Sequence, residues 1–504
     1  MKYMRFWVSF VFCVIMLYSY GLAQVLVNSV VVDSATQEGV PYASVGFAWS
    51  NVLTMSSETG AFKLSVEDGR DADSIIVACV GYVSRTIAVK DVGKKIELTQ
   101  SIQTLKDVLV SDRHLSAKEI IERAKEGIDS IYEMSYSKRR TFVRRTSTLE
   151  IKNLDYTLKK STIPEINETF MDTLISCVPD KTILCQEALC DVFGSLLTQT
   201  DEVKLEILKS CSISPKNDVQ DVTLEFNDYV EKILKKRIKR DSYFKVRSGI
   251  VGTAVGKDEE DLYSLFSTNK NEAEEEIENK REIFVAVIKD GIAGSNRRMF
   301  LDDDLDFIIE SNRYEFKVEE YLVLDDELVY KISFSPKGRA RLSGTVYINV
   351  NDYGVMRVEY KNVKPIYKIS LFGIDVKVFC YKGVMMFEKS TNDKYFLRYA
   401  NHSDAVFMRA DRPLTITEKN KNTLGRRKQN QVSFDFDVSV VGEAKTEYLV
   451  FDNHTILKQE YDDKQEKEFE GYEYMPKYEP SFWDGYNIIE PNKLMEEYKS
   501  AVIE

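Results

Sequence analysis

From Val25 to about Asp112 the apolar positions come in short alternating runs separated by turn residues. Val25, Val27, Val30 and Val32 begin a strand that breaks at Asp33-Ser34. The turn Thr36-Gln37-Glu38-Gly39 leads into Val40-Pro41-Tyr42-Ala43-Ser44-Val45. Thr59-Gly60 turns into Ala61-Phe62-Lys63-Leu64-Ser65-Val66 with period-two alternation. Ser74 to Val80 is nearly continuous in apolar residues and ends at Gly81-Tyr82, and Lys95-Ile96-Glu97-Leu98 alternates again. Closely spaced strands with no helical period predict a small antiparallel β-sandwich over residues 24–112.

The pattern then changes. Ser116 with Glu119 forms a capping box, followed by Ala117, Ile120, Ile121, Ala124, Ile128 and Ile131 on one helical face. Lys138-Arg139-Arg140 and Arg144-Arg145 flank Thr141-Phe142-Val143 on a segment that reads as a solvated strand edge, with contact to an anionic surface as the alternative. Residues 155–240 read as mostly helical. Phe226, Tyr229, Val230, Ile233, Leu234 and Ile238 share a face, and Lys235, Lys236, Arg237, Lys239 and Arg240 complement the dipole near its end. A packed helix with a solvated face is expected there, and a membrane-binding amphipathic helix is the alternative. The segment 113–242 is therefore expected to be a linker helix and a helical middle region.

From Tyr243 strands return. Tyr243 to Gly252 reads as a strand and glycine turn, and the charged stretch 257–281 as an exposed helix or loop. Tyr314 to Val318, Tyr330 to Phe334, Leu342 to Val350 and Val355 to Tyr360 alternate around turns at Ser335-Pro336-Lys337-Gly338 and Asn351-Asp352-Tyr353-Gly354. Successive hairpins of this kind predict a large curved antiparallel sheet within residues 243–504, with one apolar face covered by helices or another layer. The aromatic, Pro-bounded tail from Tyr478 to Pro491 is expected to pack back on that sheet, and Leu494 to Val502 to form a short helix. The expected class is mainly β, α+β overall.

Several of these signatures together resemble the carboxypeptidase-regulatory-like domain, a transthyretin-like β-sandwich. They are Val32-Asp33, Thr36, Gly39 to Val45, the Ser57-Glu58-Thr59-Gly60-Ala61-Phe62 turn, and Asp73-Ser74-Ile75 leading to Cys79-Val80-Gly81-Tyr82. The resemblance implies a non-catalytic accessory or interaction module, common at the N-termini of envelope proteins in Bacteroidota. Phe334 to Lys337, Ser343 to Ile348, Asp352 to Val355, Leu371 to Ile374 and Tyr395 to Tyr399 are similar to the later part of the same proteins, for which no enzymatic activity is implied. In fold style alone the sheet is similar to the half-barrels of periplasmic lipoprotein carriers.

Composition supports more than one domain in 504 residues, and 43% hydrophobic content is enough for real cores. The first residues read as a secretory leader, residues 1–23. Lys2 and Arg5 precede the apolar run Phe6 to Leu17, and Gly21-Leu22-Ala23 places small residues before a cleavage at Gln24. A retained anchor is the alternative, but the run is short for a spanning helix. Cys13 lies inside the run, so no lipoprotein cleavage is expected. Loss of Lys2 and Arg5 takes the formal charge from −12 to −14, which disfavours nucleic-acid binding. No later stretch is apolar enough for a spanning helix, and the end at Ala501-Val502-Ile503-Glu504 does not read as a closing barrel strand.

Candidate chemistry is sparse. Cys177, Cys185, Cys190 and Cys211 crowd one region, where export leaves both a disulfide and separate thiols open, while Cys79 and Cys380 stand alone. Zinc is not expected, since no His lies near and Cys185-x4-Cys190 has no matching pair. His114, His402 and His454 are expected at surfaces or turns. Asp302-Asp303-Asp304 and Asp306 read as a solvated turn without EF-hand spacing. No nucleophile elbow, phosphate loop or dinucleotide fingerprint is present, so no catalytic, cofactor-binding or metal-binding residue is assigned. The expected role is a non-enzymatic, exported protein of the periplasm or outer-membrane periphery, with an envelope protein as its partner. The alternatives are a carrier of a lipid or other hydrophobic ligand on the curved sheet, and a hydrolase of glycan or peptide. A hollow beside the sheet would favour the carrier, and clustered carboxylates with shifted pKa values the hydrolase.

Overall fold

The structure is a computed structural model that describes residues 25–48, 53–66, 74–100, 115–176, 178–214, 236–238, 242–249, 251–255, 272–300, 305–324, 327–390, 392–420, 424, 427–491 and 495. The leader, His114, Cys177, the apolar face from Phe226 to Leu234, the stretch 257–271, Asp302 to Asp304 and nearly all of the expected C-terminal helix lie outside these residues. The chain divides into two compact units. Of the described residues, one comprises those up to Gln100, those within 321–329 and those from Tyr478; the other comprises the remainder.

The first unit is built on seven short strands: β1 (Val25–Asp33), β2 (Ser44–Phe47), β3 (Leu53–Met55), β4 (Ala61–Val66), β5 (Ser74–Ala78), β6 (Arg85–Ala88) and β7 (Lys95–Leu98). They form two sheets, ordered β4-β1-β7 and β3-β2-β5-β6. The alternating residues read from the sequence point inward: Val31, Val45, Leu64, Ile75 and Val77 are fully buried in one core. The sandwich is not wholly antiparallel, because β7 runs parallel to β1, with Val30 opposite Lys95. The turn after β1 is held by Asp33. Its carboxylate accepts from the Thr36 and Ala35 backbone N–H at 2.9 and 2.8 Å, from Gln100 at 2.7 Å and from Tyr82 Oη at 2.9 Å. These donors, the Thr36 N–H foremost, pull its pKa down to about 2.

The tail departs from expectation. Its described residues bond to the sandwich, which is not the expected partner. Asn487 exchanges hydrogen bonds with the Ser65 backbone at 2.7 and 2.9 Å, Thr54 Oγ1 donates to the Ile488 carbonyl at 2.9 Å, and Lys63 pairs with Asp484 at 2.6 Å. Asn487 supplies both an acceptor and a donor, so it satisfies the backbone of β4 as a neighbouring strand would.

The second unit opens with α1 (Ala117–Glu126), whose capping box and buried Ala117, Ile120, Ile121 and Ala124 agree with the sequence reading; Gly127 separates it from α2 (Ile128–Ile131). The helical middle region is corrected. The described residues of 137–213 are mainly strands, β8 (Ser137–Ser161), β9 (Lys181–Gly194) and β10 (Lys204–Ile213), with an α-helix, α3 (Glu168–Ser176), and a 3-10 turn at Thr200–Glu202 between them. The remaining elements are β11 (Ser242–Ser248), β12 (Val251–Val255), α4 (Glu272–Arg297), β13 (Tyr314–Leu324), β14 (Glu327–Pro336), β15 (Leu342–Asn349), β16 (Val355–Asn362), β17 (Tyr367–Leu371), β18 (Ile374–Lys389), β19 (Tyr395–Asn420), β20 (Lys428–Thr455), α5 (Lys458–Asp463) and β21 (Glu473–Met475). One sheet runs β13-β14-β15-β16-β18-β19-β20-β8-β9-β10-β21, with β11, β12 and β17 attached beside it. The pairs from β15 through to β10 are antiparallel, and β10 with β21 is parallel. β8 is thus a central strand between β20 and β9, not a solvated edge, and Arg139 and Arg144 are buried. The mainly β, α+β class stands.

Candidate functional site

Side chains directly opposite one another in antiparallel strands share a face, so the registers give that face row by row. One row crosses seven strands as Ala188, Val143, Tyr448, Ala400, Met385, Val358 and Val346. Every member is at most 3% exposed. Helix α4 covers this part of the sheet, packing on β8, β19 and β20. Its Gly291 lies so close that an added Cβ would come within 3.3 Å of Thr446 and 3.5 Å of Val143.

Two residues further along, the same face turns polar: Gln186, Arg145, Thr446, His402, Gly383 and Tyr360. His402 is buried, contrary to the expectation of a surface residue. Tyr360 Oη lies 2.9 Å from its Nδ1, and the Tyr381 ring meets it edge-on with centroids 4.5 Å apart. Gly383 makes this possible, since a Cβ there would come within 2.5 Å of Tyr360 Oη. Burial, then the charges of Arg298 and Arg145, push the His402 pKa down to about 2, so the ring is neutral. Asp404 Oδ1 lies 3.7 Å from its Nε2.

Beyond this belt the face is apolar again, and bare. Its rows are Leu149, Gly442, Val406, Val378 and Tyr367; Ile151, Val440, Met408, Val376 and Ile369; and Leu154, Val438, Ala410, Ile374 and Leu371. None of these residues is buried: Leu149 is 42% exposed, Met408 41% and Leu371 55%. Further along, the face is covered once more, where Phe170 of α3 and Ile166 pack on Val432, Phe434 and Leu158. The bare rows are thus a trough of the sheet bounded by a polar belt at one end and the α3 cluster at the other. Five strands at the usual spacing make it about 20 Å long and three rows about 14 Å wide. That is roughly 300 Å², within the range of the largest, often functional, apolar patches of monomers. The reverse face is ionic: Arg409 pairs with Asp437 at 2.7 Å and with Asp411 at 3.4 Å.

Other clusters are internally satisfied. Arg144, fully buried, bonds Glu187 at 2.5 Å, and its Nη1 lies 3.6 Å from Glu447, which Lys445 also reaches at 3.1 Å. A cavity of about 800 Å³ between β10, α4 and residues 466–471 is rimmed by ion pairs of Lys289 with Glu466 and of Lys464 with Glu206, both at 2.8 Å. Bonds from Lys464 and Lys467 pull Glu206 to about 2. Among the described residues every carboxylate with a resolved shift is pulled down by hydrogen bonds or cations, the opposite of what a general acid needs.

The candidate residues of the sequence are dispersed. His454 is at the exposed end of β20, 2.7 Å from Asp452. Asp306 is buried rather than solvated, bonded to Arg313 at 2.5 Å and to the Tyr314 hydroxyl. Cys185, Cys190 and Cys211 are buried thiols. Cys185 lies opposite Ile213, Cys190 opposite Ile207 and Cys211 opposite Glu187, so the register does not pair them with one another. Burial pushes the Cys190 thiol up to about 12, which makes it inert as a nucleophile. No group of three or more His, Cys, Asp or Glu able to hold a metal occurs among the described residues. Among them, too, no helix is long and apolar enough to cross a membrane.

No family model and no curated protein matches the chain. Among solved structures, a chain from the complex of Pseudomonas aeruginosa MucA and MucB is 7% identical, with 65% of this chain and 93% of that chain covered and a TM-score of 0.16. A chain from the complex of MucB with MucA(peri) is also 7% identical, covering 64% and 93%, with a TM-score of 0.15. Likeness at that level carries no statement about fold or function, and the trough remains the site defined by the chain's own geometry.

Proposed function

We infer that the protein is an exported, non-catalytic binding protein of the cell envelope, and that the bare trough of its large sheet holds the apolar part of an amphiphile such as a lipid. The trough carries the reading: alternating Val, Ile, Leu and Met continue the same face that α4 buries elsewhere, yet among the described residues none of them is buried. Its length of about 20 Å accommodates an extended apolar chain. The half-buried Arg145 and Thr446 of the belt at one edge offer polar partners to a head group. Export is supported by Lys2, Arg5, the Phe6 to Leu17 run and Gly21-Leu22-Ala23, and the N-terminal sandwich is read as the accessory module that its sequence resembles.

A chain lying on an open face is buried on one side only, so about half of the 0.8 kcal/mol per methylene is gained. For about fourteen methylenes this gives roughly 6 kcal/mol, a dissociation constant in the tens of micromolar. The test is to purify the protein from cell envelopes and analyse its organic extract by mass spectrometry. An amphiphile near one per protein is expected, and a clean extract together with no saturable uptake of added fatty acid would contradict the reading. A protein partner is the second reading, favoured by β17, which pairs only with β18 and leaves its other edge open among the described residues. A stoichiometric protein in the same preparation, with no lipid, would select it.

A further inference from the structure

We propose that the hairpin of β17 and the first residues of β18 docks the protein onto an anionic lipid surface. The proposal goes beyond the ligand reading and does not depend on it.

The tip of this hairpin is Leu371-Phe372-Gly373-Ile374, with Leu371 directly opposite Ile374. The two turn residues are both left-handed, Phe372 at φ 50° and Gly373 at φ 75°. That is the primed turn that suits a two-residue hairpin, and its first position ordinarily takes Asn, Asp or Gly. A phenylalanine there is strained and gains nothing from burial, since Phe372 is 65% exposed. The fold does not need that residue; a partner outside the fold does. The tip is also held in place. Arg412 donates to the Phe372 carbonyl and, at 2.6 Å, to that of Ser248, while the Asp411 N–H donates to the Gly373 carbonyl at 2.8 Å.

Charge identifies the partner. Between Lys361 and Lys382 the chain carries Lys361, Lys364, Lys368, Lys377 and Lys382 against Asp375 alone, a local excess of four positive charges in a chain of net charge −12. Lys368 and Lys377 face each other directly across the hairpin, an unfavourable pairing in isolation. Exposed aromatic and aliphatic residues at a tip, backed by lysines, match a bilayer interface whose head groups are anionic.

The processed protein is sedimented with vesicles of phosphatidylcholine alone and with about 30% phosphatidylglycerol. Wild type is expected to bind the anionic vesicles and to bind the neutral ones at least about tenfold more weakly. Leu371→Asp with Phe372→Asp lowers binding to anionic vesicles about tenfold or more, and Lys368→Glu with Lys377→Glu abolishes the preference for them. Phe372→Asn relieves the turn, raising the melting temperature by about 1 to 3 °C while weakening vesicle binding. Leu457→Asp, at an exposed apolar residue outside both the trough and the tip, keeps vesicle binding. Wild type that ignores anionic vesicles, or hairpin variants that bind like wild type, would overturn the proposal. Vesicle binding by a protein that takes up no fatty acid would sink the ligand reading and leave this one standing.

Discussion

Two stretches of one sheet face differ above all in what lies over them. Val143, Tyr448 and Ala400 are sealed under α4. Six to eight residues further along the same strands, Leu149, Val440 and Met408 continue the alternation without being buried. The covered row includes an aromatic whose bulk fills the space beneath the helix. The open rows are aliphatic apart from Tyr367 at their β17 margin, with Gly442 among them. Between them lies His402, kept neutral in a polar belt. A core row exists to be buried by the fold, whereas a bare row of the same pattern needs something else to bury it.

The comparison makes its largest claim about stability. Tyr448→Ala should cost about 3 to 5 kcal/mol, because it opens a cavity under α4. Val440→Ala, eight residues earlier on the same strand and face, should cost less than about 1 kcal/mol, since solvent already reaches it. Urea titrations of both variants check this, and equal losses would mean that the two stretches are one core.

The belt provides the next test. The folded-state pKa of His402 is pulled from 6.5 to about 2, so between these values the unfolded chain takes up a proton that the folded chain refuses. Stability therefore falls as pH drops below 6.5, by about 1.4 kcal/mol per unit, or roughly 2 kcal/mol at pH 5. His402→Gln should flatten the fall between pH 7 and pH 5, as read by denaturation midpoints. A wild-type slope unchanged in the variant would place the titration elsewhere.

A smaller effect sharpens the contrast further. Gly291→Ala should shift stability by less than about 1 kcal/mol, because the gain in helix propensity offsets a 3.3 Å approach to Thr446. Gly291→Leu should cost about 1 to 3 kcal/mol by lifting α4 from Val143 and Thr446, and fatty-acid uptake by the trough should survive it.

Much of this was legible in the sequence. The strands from Tyr314 to Tyr360, the sandwich core of Val31, Val45 and Leu64, and the Ser116 cap all follow from local alternation or capping chemistry. The segment 155–213 did not. Residues 185–194, Cys-Gln-Glu-Ala-Leu-Cys-Asp-Val-Phe-Gly, are rich in helix formers, but they form a strand buried on both faces, and such a strand loses its period of two. Tertiary burial overrode propensity there. The trough was legible only as strands. Val438, Val440, Val406 and Met408 carry the alternation of any core strand, and no local pattern reveals that α4 stops short of them. His402 was misplaced for a related reason: its partners Tyr360 and Tyr381 come from other strands.

The most direct test is a titration of a fluorescent fatty acid into the wild type and into Met408→Glu, which places a charge in the middle of the bare rows with little expected loss of stability. The wild type should bind saturably, near one per protein, with a dissociation constant in the tens of micromolar, and Met408→Glu should weaken that at least about tenfold. Wild type that does not saturate, or a variant that binds as tightly as wild type, would contradict the assignment of the trough as a binding site.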